Sequence, residues 1–169
     1  DGHYPAADLC AAERVHRGGG LVSIDLGSNR RVDPALLEAC DIIVVSEAYA
    51  AGQIAGDLES GLEKLFTGYA KWVGITCGAR GSYFFDGIQH LHQPAFPVAV
   101  ADSTGAGDVF HGAILYAVLQ KFSLAVAAVF AAAAAAIKCR SVGRNQGMAD
   151  LQQIKQFLNI QQVSTPFLG

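Results

Sequence analysis

Charge is scarce in this chain: only 16% of its 169 residues are Asp, Glu, Lys or Arg, and the 12 basic residues are scattered. With a net charge of −3 and a pI near 5.9, it has no electrostatic footprint for nucleic acid, which needs clustered Lys and Arg. A membrane span is also missing. The longest uninterrupted apolar run, Leu124 to Ile137, falls short of the ~18 to 20 residues a spanning helix needs; much of it is alanine, and it predicts a buried helix. Asp1-Gly2-His3-Tyr4-Pro5 has neither a basic nor an apolar segment, so no signal peptide is visible. The four cysteines, Cys10, Cys40, Cys77 and Cys139, lie far apart with no C-x-x-C, which predicts reduced thiols in a cytoplasmic protein rather than a disulfide framework. The single Met does not start the chain, so the sequence reads as part of something longer.

What is present points to a packed α/β domain. Hydrophobic residues make up 51% and mean hydropathy is +0.30, a balance that excludes intrinsic disorder. A chain of this length buries roughly 70% of its unfolded surface on folding. Pro5 to Arg17 reads as a helix stopped by Gly18-Gly19-Gly20, and Leu21 to Leu26 as a strand. Asp33-Pro34 opens a short helix, with Asp33 as N-cap and Pro34 at the first helical position. Ile42 to Ser46 is apolar on both faces, as a parallel sheet covered on both sides requires. A helix follows from about Asp57 to Tyr69, with Asp57, Glu59, Glu63 and Lys64 on its solvated face, and then a strand from Trp72 to Cys77. Asp86-Gly87, flanked by Tyr83-Phe84-Phe85 and Ile88 to His92, predicts a hairpin. Val98 to Ala101 reads as a short strand, with helices to about Gln120 and from Ser123 to Lys138, and Asp150 with Gln153 forms a capping box for a last helix. No repeat or linker interrupts this order, so one α/β domain with a largely parallel sheet is expected.

The chemistry concentrates in Asp102-Ser-Thr104-Gly105-Ala106-Gly107-Asp108. A strand end, three small residues and a helix start bring free backbone N–H groups together at a helix N-terminus, which is an anion hole. Glycine lets a phosphate approach the backbone closely. Asp108, in the first turn, stands where a carboxylate could take the proton of an attacking hydroxyl. A bare G-x-G pair is more often an ordinary turn, and a lone Asp here would only complement the helix dipole.

The longer string Asp102 to Leu115 (DSTGAGDVFHGAIL) resembles the second signature of the ribokinase (PfkB) family of carbohydrate kinases. The resemblance extends in order over nearly the whole chain. Val73-Gly-Ile-Thr76-Cys-Gly78-Ala-Arg-Gly81 resembles the family's nucleotide-binding strand and loop, which implies that Thr76, Gly78 and Gly81 approach ATP together with Gly107. The alanine-rich helix resembles the one backing the adenine pocket, with Ala132 as its contact, although plain tight packing explains the alanines equally well. Ser141-Val-Gly143-Arg-Asn-Gln-Gly147 resembles the segment that builds a monovalent-cation site, implying K⁺ at Asp102, Thr104 and Gly143. His92-Gln-Pro-Ala-Phe96, Gly107 to Ala113, Ile137-Lys-Cys139 and Asp1-Gly2 are most similar to the ketohexokinase-like branch that includes sulfofructose kinase. The resemblance therefore implies a three-layer, Rossmann-like α/β/α fold and ATP-dependent phosphorylation of a sugar, with a ketose favoured over ribose or a nucleoside. Asp108 is the implied base, the amides of Gly105, Ala106 and Gly107 are the implied anion hole, and Mg²⁺ is the implied metal.

Two departures stand out. Where many members carry Asn-x-x-Glu to organise Mg²⁺, this chain has Ser46-Glu47-Ala48-Tyr49, leaving Glu47 to contact the metal through water. The family's chains are also nearly twice as long, so this sequence reads as the C-terminal half, without the first strands, most sugar contacts and the lid through which members often dimerise. An open parallel sheet of that kind exposes an apolar edge, and the isolated chain is expected to aggregate, bind its other half or be marginally stable. A nucleotide-binding module without catalysis is the main rival. A Rossmann oxidoreductase is disfavoured, because Leu21 to Leu26 lacks the G-x-G-x-x-G turn. His90 and His92 share a strand face but have no third ligand at metal spacing, so a surface hairpin is the simpler reading. His111, one turn into the motif helix, is read as packed or capped in preference to touching ATP.

Overall fold

The computed structural model describes residues 2–27, 31–54 and 56–163. Asp1, part of one family-like string, lies outside them. The chain forms two compact units: residues 1–77 with 83–92, and residues 78–82 with 93–169.

The first unit is built on helix-to-strand exchanges. It contains α1 (Pro5–Arg17), β1 (Ser23–Leu26), α2 (Pro34–Glu38), β2 (Ile42–Ser46), α3 (Glu47–Gln53), α4 (Leu58–Leu65) and β3 (Trp72–Thr76), and nearly all of β4 (Ser82–Phe85) and β5 (His90–Gln93). The strands lie in the order β1-β2-β3-β4-β5. The first three are parallel, with Ser23 opposite Ile42 and Ile42 opposite Trp72. The links into β4 and β5 are too short for a parallel crossover, so those strands run antiparallel to their neighbours. Ile43, Val45, Val73 and Ile75 are fully buried and join Leu36, Leu62 and Leu65 in this unit's core. Asp33 caps α2 by accepting from the Ala35 N–H at 3.0 Å, and Asp57 caps α4 by accepting from the Ser60 N–H at 2.8 Å.

Asp41 ties α1 to the segments leading into β1 and β3. Its carboxylate, 4% exposed, accepts from the Val22 N–H at 2.9 Å and lies 2.9 Å from His16 Nε2 and 3.3 Å from Lys71 Nζ. Burial pushes this carboxyl up, but the Val22 amide, His16 and Lys71 outweigh it and hold it below the usual carboxylate range. A depressed carboxyl stabilises the fold above its unfolded value, and the benefit fades as pH falls below about 4. Asp41→Asn is therefore expected to cost about 2–4 kcal/mol at neutral pH and to flatten the acid limb. The check is the urea midpoint from pH 7 to pH 3 at unchanged m.

Several expectations shift. The strand placed from Leu21 starts at Ser23, and the helix placed to Tyr69 ends at Leu65. Gly68 helps explain the early stop: its φ is +54°, and a Cβ there would collide with the Glu38 carbonyl oxygen. No strand forms at Val98 to Ala101. Pro94 and Pro97 remove ladder donors, and the chain is fastened instead by the Ala101 and Asp102 amides donating to the Cys139 carbonyl at 2.8 and 3.2 Å. Helix α3 was not anticipated.

The second unit is a helical layer of α5 (Ala106–Leu119), α6 (Leu124–Cys139) and α7 (Leu151–Ile160), with a 3-10 turn at Gly78–Arg80. Ala127, Ala128, Ala131 and Ala133 are fully buried, and small residues let α6 lie close against α5. Among the described residues no helix is long and apolar enough to cross a membrane. Asp150 and Gln153 form the expected capping box on α7.

Candidate active site

The turn into α5 is the centre of the second unit's chemistry. Gly105 caps the helix in the left-handed region (φ +79°, ψ +2°). A Cβ there would stand 3.3 Å from the Arg144 carbonyl oxygen, so glycine answers both the backbone sign and the close approach. The Ala106 N–H donates to the Ser103 carbonyl at 3.0 Å, which withdraws one member of the expected anion hole. Helix geometry leaves the N–H groups of Gly107 and Asp108 without intrahelical acceptors. At Gly107 a Cβ would meet nothing within 4 Å, and the same holds at Gly112, five residues on. Asp108 is exposed in the first turn.

A cavity of about 470 Å³ opens beside this turn. Gly105, Asp108, Arg144 and Asn145 give it a polar end, and Tyr116, Phe130 and Ile154 are among its apolar walls. Such a volume, apolar with a few convergent polar groups, is of the size that takes a nucleoside-sized ligand. From α6 the lining residues are Phe130 and Ala134, one turn apart on one face. Ala132 is buried but is not among the lining residues, because it lies about 200° around the helix from Phe130.

Asp102 organises the neighbouring loop. Its Oδ1 accepts from the Thr104 N–H and its Oδ2 from the Gly143 N–H, both at 2.9 Å. The structure thus unites Asp102, Thr104 and Gly143. The amides of Thr104 and Gly143, the Thr104 hydroxyl and the charge of Lys138 hold the Asp102 carboxyl down at about 2. Lys138, in the last turn of α6, is 0% exposed, and its Nζ has no hydrogen-bond partner among the described residues. Its Cε lies 3.8 Å from the place a Gly105 Cβ would occupy. The composition of the apolar run gave no hint of this lysine's burial.

The remaining predicted residues divide between the units. In the first, Thr76 ends β3 and its Oγ1 donates to the Val45 carbonyl at 3.4 Å. In the second, Gly78 (φ +56°) has open space where a Cβ would be, whereas a Cβ on Gly81 (φ +91°) would collide with the Gln93 carbonyl oxygen. Gly81 is thereby explained by backbone packing, and Gly78 keeps the open approach a phosphate needs. Glu47 is exposed at the start of α3. Its flanking residues serve the fold: Ser46 Oγ accepts from the Tyr49 N–H and donates to the Gly27 carbonyl, both at 3.1 Å, and Tyr49 is 4% exposed. No group of three or more His, Cys, Asp and Glu able to hold a metal occurs among the described residues. His92 stacks on Tyr83, and His90 stacks on Phe85 and pairs with Glu63 at 3.2 Å, as a surface hairpin would have it.

Comparison with known proteins places these features. The chain matches the family described as pfkB family carbohydrate kinase over residues 5–150. Ribokinase from Lactococcus lactis is 28% identical over 126 residues, covering 75% of this chain and 41% of that protein. The structure of Arabidopsis thaliana ribokinase complexed with ribose and ATP aligns with a TM-score of 0.82 at 26% identity, over 91% of this chain and 52% of that one. Aminoimidazole riboside kinase from Salmonella enterica, complexed with aminoimidazole riboside and an ATP analogue, aligns with a TM-score of 0.75 at 27% identity, over 89% and 56%. The chain spans about half the length of these relatives. The fold is ribokinase-like, with a mixed five-stranded sheet. These relatives are named for ribose and ribosides, so they support the family without singling out its ketohexokinase-like branch. A match that takes in the Asp102 to Asp108 turn and nearly all of the chain makes it a member of the pfkB family of carbohydrate kinases.

Proposed function

We propose that this protein transfers the γ-phosphoryl group of ATP to a sugar hydroxyl, with Asp108 as the base. One observation carries the reading: an exposed carboxylate in the first turn of α5 stands beside a glycine turn whose Gly107 opens onto free space, next to a cavity of nucleoside size. The cavity takes the base and ribose, and the phosphates lie against the N-terminus of α5. The acceptor hydroxyl approaches in line, gives its proton to Asp108 and attacks phosphorus, while the Gly107 and Asp108 amides hold the developing charge.

With no protein cluster to cage a metal among the described residues, Mg²⁺ would be held by nucleotide phosphates and water. Bound there, it would neutralise phosphate charge. Gly78, in the same unit, belongs to the same nucleotide reading.

On the acceptor, the strings around His92, Phe110 and Cys139 favour a ketose. A second reading, a pentose or riboside, draws on the names of the relatives. The test is ADP release by the purified gene product, of verified intact mass, against a panel of ketoses, pentoses and ribosides. Sugar-dependent release is expected. ADP binding without release on any sugar would leave only a nucleotide-binding module.

A further inference from the structure

We propose that the ammonium of Lys138 is the built-in cation of the Asp102–Gly143 loop, so that this kinase works without a bound monovalent metal ion. The inference rests on the nucleotide reading above. A fully buried ammonium without a hydrogen-bond partner is costly and persists only where opposite charge compensates it. Two sources are at hand. Asp102, whose carboxyl is lowered chiefly by the Thr104 and Gly143 amides and least by Lys138, is a nearby negative charge. The C-terminal end of α6, where Lys138 sits in the last turn, supplies the negative pole of a helix.

The position matters as much as the charge. The lysine stem packs against the α5 turn, with Cε 3.8 Å from the site of a Gly105 Cβ. Both Asp102 oxygens already accept a backbone N–H, one from Thr104 and one from Gly143. A K⁺ ion entering here would meet the like charge of Lys138, which is itself fully buried. The residues present therefore do not fit a monovalent-cation site. They fit a loop whose charge balance is covalently supplied.

The experiment compares the wild-type gene product with Lys138→Met and Lys138→Arg in KCl, NaCl and choline chloride at matched ionic strength. Tm and ADP affinity by calorimetry are the readouts. For the wild type and Lys138→Arg, both should be the same in all three salts. Lys138→Met should lose about tenfold or more in ADP affinity in choline chloride and regain it, with a rise in Tm, in KCl. A wild type whose Tm rises specifically with K⁺ overturns the proposal, as does a Lys138→Met protein that binds ADP normally in choline chloride. If Lys138→Met does not fold, the salt response of the wild type and of Lys138→Arg decides. A wild type that binds no ADP in any salt defeats the nucleotide reading, while its Tm still reports on the lysine.

Discussion

Asp108→Asn is expected to lower kcat of the gene product by about 10²- to 10⁴-fold, the usual worth of a positioned general base, while ADP affinity stays within a few-fold of wild type. The substitution keeps the size of the side chain and one acceptor oxygen but removes the ability to take a proton. Asp108 is exposed and sits in the first turn of α5, so the fold loses only its dipole interaction, about 0.3–1 kcal/mol. In the proposed arrangement phosphate binding would not depend on this carboxylate, because the amides and helix pole would provide it. Steady-state turnover with calorimetric ADP titration separates the two effects. Turnover near the wild-type rate would remove Asp108 from the chemistry.

The second large effect is expected at Gly107→Val. Most glycine substitutions in this chain would act through stability; this one should not. A Cβ at Gly107 meets nothing within 4 Å, and valine is no worse a helix former than glycine. Its branches would instead fill the place the proposed function gives to phosphate oxygens at the Gly107 and Asp108 amides. Losing two charge-assisted hydrogen bonds corresponds to about 10²- to 10⁴-fold in nucleotide affinity. Tm in the absence of nucleotide should stay near the wild-type value, while ADP no longer raises it. A valine variant that binds ADP normally would place the phosphates elsewhere.

Local signals in the sequence were dependable. Asp33-Pro34 and the Asp150/Gln153 box became caps because each needs only residues within one turn. Ile42–Ser46 and Trp72–Thr76 became parallel strands because both faces are apolar. The glycine turn at Gly105 was legible because its backbone sign restricts the residue type. Helix α3 escaped because Ser46, its cap, drew attention as a position in a metal motif. Joining Asp102 to Gly143 required the family resemblance, since spacing alone does not bring the two residues together. Lys138 was the hardest to read: a lysine closing an apolar helix normally reaches solvent, and only packing against the α5 turn reveals that this one does not.

The alanines of α6 also have a consequence in time. Alanine has no rotamer entropy to lose on burial, and the α5–α6 pair is linked by a short turn at Gln120–Ser123, so its contacts close quickly. The β1-β2-β3 pairing needs a crossover for each strand and is slow by comparison. Translation runs from the N-terminus, so the slow-pairing strands leave the ribosome before the fast helical pair. The order of synthesis thus opposes the order of folding, and the apolar β2 segment must be kept from other chains while it waits.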